Sequence, residues 1–90
     1  MNKLDDETIF KIFKRAIEEN KCPNSYCKEY NVARGYIYGR FKKIGVPRSY
    51  EQRQKVGQDL IDKIVVQNSY AEAKELIEQC REILGEKKEN

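Results

Sequence analysis

Apolar residues recur three and four positions apart over most of this 90-residue chain. That spacing is typical of helices that bury one face, whereas half-buried strands alternate apolar and polar residues. The first such stretch follows Asp5 or Asp6, either of which is suited to cap a helix, and it extends to about Asn20. Its apolar face consists of Ile9, Phe13, Ala16 and Ile17. Because no stretch carries the pattern of a strand or a β-hairpin, the sequence predicts an all-α fold.

Two more helices are expected before residue 48. Ser25 is placed to cap a short helix over residues 26–30. Asn31 follows it and tolerates the left-handed backbone that a sharp turn requires. A longer helix is predicted over residues 33–44, and Gly45 is suited to end it. The predicted buried face of this longer helix is Ile37, Phe41 and Ile44.

The C-terminal half is predicted to form a pair of amphipathic helices. Ser49 and Gln52 have the spacing of a capping box, and Ser69 and Glu72 repeat it before the last helix, which ends at Gly85. The apolar residues of the first helix of the pair are Val56, Leu60, Ile61, Ile64 and Val65. Residues 1–90 are therefore interpreted as one domain, with a three-helix unit at 6–48, the helical pair at 49–85 and a frayed tail at 86–90.

The positive charge of the chain is concentrated in its middle third. Residues 21–55 contain nine basic and two acidic residues, a net charge of +7, although the whole chain carries only +3. The flanking segments, 1–20 and 56–90, carry −1 and −3. A local excess of cations is typical of a surface that meets phosphates, and a merely solvated lysine-rich face is the alternative.

Several classes of protein are disfavoured by composition. The chain has no histidine and three cysteines, which leaves neither a disulfide framework, nor the usual set of zinc ligands, nor a histidine-based nucleophile. Cys27 and Cys80 fall in apolar registers and are interpreted as small core residues. No apolar run is long enough to span a bilayer, and no secretory signal is recognised. We therefore expect a cytoplasmic protein that is not an enzyme, binds no metal, cofactor or membrane, and has no catalytic residues.

The segment at residues 27–46, CKEYNVARGYIYGRFKKIGV, resembles the helix-turn-helix of DNA-binding proteins, especially the simple three-helix kind of recombinases, transposases and small regulators. Cys27 matches the small residue between the two helices, Asn31 the turn, and Val32 the aliphatic residue after it. The ending KKIGV matches the basic, glycine-terminated end of the second helix. Arg40 stands where the family often has an aliphatic residue, so its stem is expected along the edge of the core with the guanidinium directed outward.

The second helix of this motif carries two glycines on its predicted outer face. At about 100° per residue, Gly35 and Gly39 lie opposite the buried residues. A glycine inside a helix costs about 0.8–1 kcal/mol relative to alanine. Two of them on one face therefore indicate close approach of another surface, either DNA or a helix of another protein.

The resemblance and this geometry together predict which side chains meet DNA. Arg34 and Lys42 are expected to donate to guanine edges, while the two tyrosines of the helix offer rings to thymine methyls or hydroxyls to phosphates. Three further cations are expected to hold phosphates without reading sequence. The complete predicted set is Arg34, Gly35, Tyr36, Tyr38, Gly39, Lys42, Lys43, Lys28 and Arg48.

The helical pair suggests self-association, because its apolar faces exceed what a three-helix unit covers. A two-fold homodimer is expected, with a five-helix single chain as the alternative. The predicted pairing residues are Leu60, Ile64, Leu76, Ile77, Cys80, Ile83 and Leu84. The leading functional hypothesis is sequence-specific binding of double-stranded DNA, as a small transcriptional regulator or as the recognition part of a replication, packaging or recombination system of a phage or mobile element. The second hypothesis is a phage-type inhibitor or adaptor that uses the same surface to bind a protein partner.

Overall fold

The computed structural model describes residues 3–86, which contain five α-helices, one short 3-10 helix and no strand. The all-α prediction is therefore confirmed. The elements in chain order are α1 Asp6–Glu19, a 3-10 helix Pro23–Tyr26, α2 Tyr36–Ile44, α3 Tyr50–Val56, α4 Gln58–Val65 and α5 Tyr70–Leu84. Within this part of the chain, no helix combines the length and the apolarity needed to cross a bilayer.

Helix α1 forms as its sequence predicts. The Asp5 carboxylate caps it by accepting a hydrogen bond from the Thr8 N–H at 2.8 Å, and Asn20 ends it in the left-handed conformation, φ +55°. The helix buries more than the predicted stripe, because Phe10 and Ile12 are also inaccessible to solvent. This wide apolar surface packs α1 against both α2 and α5.

The predicted short helix over residues 26–30 is wrong. The chain instead makes a 3-10 helix that begins at Pro23, whose fixed φ suits a first helical position, and then turns as far as Asn31. Asn31 does adopt the predicted left-handed backbone, with φ +54°. The following helix begins three residues later than predicted, because Gly35 at φ +91° is outside the helical region.

A glycine also divides the first helix of the C-terminal pair. Ser49 caps α3 as predicted, with its hydroxyl accepting from the Gln52 N–H at 3.2 Å. Gly57, at φ +95° and ψ +144°, then interrupts the helix and separates α3 from α4. The last helix has both of its predicted ends, at Ser69 and Gly85.

The C-terminal helices complete the core of the single chain, because α5 packs against α1, α3 and α4. Of the predicted pairing residues, Ile64, Ile77 and Cys80 are fully buried in this core. They are therefore unavailable to a second chain in this fold, which has the five-helix arrangement of the alternative interpretation. Leu60, Leu76 and Leu84 are half-buried against the same core, whereas Ile83 remains 40% exposed.

The two cysteines assigned to the core are confirmed there. Cys27 is 5% exposed and Cys80 is 0% exposed. Burial raises the pKa of the Cys80 thiol to about 12. Glu86, expected in a frayed tail, is instead held by an ion pair with Arg48, and residues 87–90 of that predicted tail lie outside the described residues.

Candidate nucleic-acid interface

Helix α2 presents one face to the core and the opposite face to solvent. Ile37, Phe41 and Ile44 are buried, and the Phe41 ring packs edge-on against Phe13 with 5.7 Å between ring centres. The outer strip of the helix, here called the α2 face, consists of Tyr38, Gly39, Lys42 and Lys43, all of which are exposed. The predicted buried side of this helix is therefore confirmed, and Gly39 and Lys42 of its predicted outer side are exposed.

The cations on and beside the α2 face are free to bind anions. Lys28 in the preceding turn and Arg34 just before the helix are exposed, as are Lys42 and Lys43. None of these four side chains forms an ion pair with another residue in the range 3–86. Unpaired and hydrated cations of this kind can exchange water and counterions for phosphate oxygens.

The two glycines of the predicted strip have different physical explanations. Gly35 is the residue that precedes α2, and its φ of +91° is one that other residues rarely adopt. Because Gly35 lies outside the helix, the free-energy cost predicted for a glycine inside a helix does not apply to it. Gly39 does lie inside the helix, and a Cβ added there would meet nothing within 4 Å. Nothing within the described fold therefore requires a residue without a side chain at position 39.

Tyr36 belongs to the support of the helix rather than to its outer strip. Its hydroxyl accepts hydrogen bonds from the Leu4 N–H at 3.1 Å and from Arg40 Nη1 at 2.9 Å. The bond from Leu4, reinforced by Arg40, lowers the pKa of Tyr36 below its ordinary value. The Tyr36 hydroxyl thus holds Leu4 and Arg40, and its ring is half-buried, so Tyr36 contributes to the support of α2.

Arg40 has partners within the chain that its place in the motif did not indicate. Its side chain is 17% exposed and pairs with the Asp6 carboxylate, while the guanidinium also donates to the Leu4 carbonyl. It is a half-buried cation with partners, and it fastens the start of α1 to α2. Sequence inspection missed this role because Asp6 and Arg40 are 34 positions apart.

The turn before α2 is held by polar contacts that the sequence pattern did not indicate. The Asn24 side chain accepts a hydrogen bond from the Gly35 N–H at 2.9 Å, which satisfies a free donor at the start of α2. Arg15 on α1 pairs with Glu29 and lowers the pKa of that carboxyl. The negative charge of Glu29, which follows Lys28 in the sequence, is thus already compensated by Arg15.

The end of α2 is held by α5. Arg81 Nη2 donates to the Lys43 carbonyl at 3.0 Å, so a cation lies at the negative end of the α2 dipole. The Arg81 guanidinium packs over Gly45, where an added Cβ would lie 3.1 Å from it. The α2 face is therefore presented by a helix that is fixed at both ends.

Arg48, the last of the predicted phosphate ligands, is not part of the free cationic set. Its side chain is 10% exposed, its Nη1 lies 3.0 Å from a Glu86 carboxylate oxygen, and its guanidinium lies 5.5 Å from the centre of the Tyr38 ring. The structure thus brings Tyr38, Gly39, Lys42 and Lys43 onto one strip. Arg48 lies behind that strip and is already paired.

Comparison of the chain with protein-family models, with curated proteins and with solved structures gives no match. The α2 face itself is therefore the basis on which a function is assigned.

Proposed function

We propose that this protein binds double-stranded DNA in a sequence-specific manner through the α2 face, in the manner of a helix-turn-helix protein. The observation that carries the proposal is a helix with unpaired cations around an exposed, uncovered glycine. Cations supply affinity for phosphates, and the bare backbone at Gly39 permits the closest approach of a groove. The role fits a small cytoplasmic regulator or the recognition part of a replication, packaging or recombination system.

The proposed contacts divide into two kinds. Arg34 and Lys42 donate to base edges, and the Tyr38 ring packs on thymine methyl groups. Lys28 and Lys43 bind phosphates, which fixes the position of the helix without reading sequence. Tyr36 and Arg48 are omitted from the proposed contacts because both side chains are largely covered and already hold partners within the chain.

A salt titration with a short duplex of random sequence tests the proposal. Each phosphate contact contributes about 0.9 to the slope of log affinity against log salt, so two contacts predict a slope of about −1.8 or steeper. The variant R34A/K42A should lose preference for a duplex selected from a random library, at about 1–3 kcal/mol per lost base contact. The matched control is K63A/K74A, which removes the same charge from two exposed lysines on α4 and α5.

Two results would reject DNA binding through this face. One is wild-type affinity that is absent or independent of salt, and a search for a protein partner of the α2 face would then be the better experiment. The other is equal loss of preference in R34A/K42A and in the control, because that would show an effect of net charge alone.

A homodimer is part of the same proposal, since two reading helices on one duplex add their contacts. In this fold it would have to use the partly exposed residues of the predicted set, Leu60, Leu76, Ile83 and Leu84. Selected sites with inverted halves about one helical turn apart would support it. Sedimentation equilibrium that gives the mass of one chain at micromolar concentration would remove it.

A further inference from the structure

The loop between α2 and α3 carries an arginine that joins the α2 face to the C-terminal end of α5. Arg48 Nη1 lies 3.0 and 3.1 Å from the two carboxylate oxygens of Glu86. On its other side, the Arg48 guanidinium lies 5.5 Å from the centre of the Tyr38 ring, which is within cation–π distance. The Tyr38 side chain is still 43% exposed beyond this contact.

Glu86 is placed by the way in which α5 ends. Gly85 takes the left-handed conformation at φ +74°, and the Glu86 N–H donates to the Arg81 carbonyl at 3.1 Å. The Arg48 and Glu86 side chains are only 10% and 15% exposed. Every other carboxylate that pairs with a cation in the described residues is at least 36% exposed. Because little water separates the two charges, their attraction is stronger than that of an ordinary surface pair.

An arginine beside a cationic DNA-binding face would normally be a phosphate ligand. Here its charge is already compensated, and its planar group packs on a tyrosine of the face. Resting on the proposed function, we infer that Arg48 is a positioning residue that fixes the Tyr38 ring, and that Glu86 withholds Arg48 from DNA phosphates. The α5 end thereby limits non-specific affinity while it keeps the ring in place.

Substitution of Glu86 by glutamine tests the withholding role with little change of shape. If Glu86 compensates Arg48, E86Q frees one cation, and the salt slope on a random-sequence duplex becomes steeper by about 0.9. Between about 50 and 200 mM salt this corresponds to an additional change in affinity of about threefold. The matched control is E82Q, which removes one negative charge from an exposed position on α5 and should leave the slope unchanged.

Substitution of Arg48 tests the positioning role separately. R48Q should keep the wild-type salt slope, because Arg48 makes no phosphate contact in the wild type, and it should reduce the preference for a library-selected duplex over the random one. A slope shallower by about 0.9 in R48Q would instead identify Arg48 as a phosphate ligand and overturn the inference. A melting curve for each variant confirms that binding is measured on folded protein.

The outcomes separate this inference from the proposed function. A wild type without salt-dependent binding rejects DNA binding itself. If the wild type binds with the expected salt slope and E86Q has the same slope as the wild type or as E82Q, only the role of Glu86 is rejected.

Discussion

Substitution of Gly39 by alanine should stabilise the protein and weaken its binding to DNA. Gly39 lies within α2, its N–H donates to the Gly35 carbonyl at 2.9 Å, and an added Cβ meets nothing within 4 Å. Alanine is favoured over glycine inside a helix by about 0.8–1 kcal/mol. For a domain of this size, that free energy corresponds to a rise in melting temperature of about 4–8 °C.

The same methyl group should oppose binding, because it stands where the groove is proposed to approach the helix. Inserting a methyl group into a closely packed contact costs about 1–3 kcal/mol, which is about 5- to 150-fold in affinity. The two effects are measured independently, by thermal unfolding without DNA and by fluorescence anisotropy with a labelled duplex. A rise in stability together with a fall in affinity for DNA is the result expected if Gly39 serves the DNA contact.

Gly35 provides a control on the same surface. It also has open space around it, but its φ of +91° is unfavourable for alanine. G35A should therefore lower stability, by about 1–2 kcal/mol, where G39A raises it. If G39A is more stable and binds DNA as tightly as the wild type, the close-approach argument is refuted. If G39A is less stable, the description of Gly39 as an uncovered helical residue is wrong.

Three further predictions concern the fold. S49A should lose about 1 kcal/mol of unfolding free energy, measured by urea denaturation, because the α3 cap is removed. The Tyr26 hydroxyl donates a hydrogen bond to Glu19 and lowers the pKa of that carboxyl. The stability due to this bond should therefore be present above about pH 4.5 and be lost as the pH falls through the lowered pKa. E19Q should flatten the dependence of melting temperature on pH in that range. Cys22 is the one exposed thiol of the three, so a thiol reagent should label one cysteine in native protein, and rapid labelling of Cys80 would contradict its burial.

The ends of the helices were largely predictable because the chemistry of caps is local. Ser49, Ser69 and Gly85 act within a few residues of their own positions, so the sequence is sufficient to identify them. The errors arose where one backbone angle decides the outcome. Gly57 could have been tolerated inside a longer helix, and only its φ of +95° shows that it divides two.

The composition of the α2 face was less predictable, because contacts between distant residues determine which side chains are free. Arg40 and Arg48 count as positive charges in the sequence, yet their partners lie 34 and 38 positions away. Tyr36 looks equivalent to Tyr38 in sequence, but it is bound by Leu4 from 32 positions away. No local pattern distinguishes such residues from their exposed neighbours.

The distribution of arginine and lysine bears on how such a surface would read DNA. Of the four arginines in the +7 segment, Arg40, Arg48 and Arg53 donate to groups within the chain, where the planar guanidinium can bind several acceptors at once. Arg34 remains exposed, together with lysines, which bind phosphate as simple point charges. On the proposed function, Lys28 and Lys43 would then supply most of the affinity for phosphates. Discrimination between bases would depend on Arg34 and Lys42 and on the ring of Tyr38, so the orientation of that ring, 5.5 Å from the Arg48 guanidinium, matters for specificity.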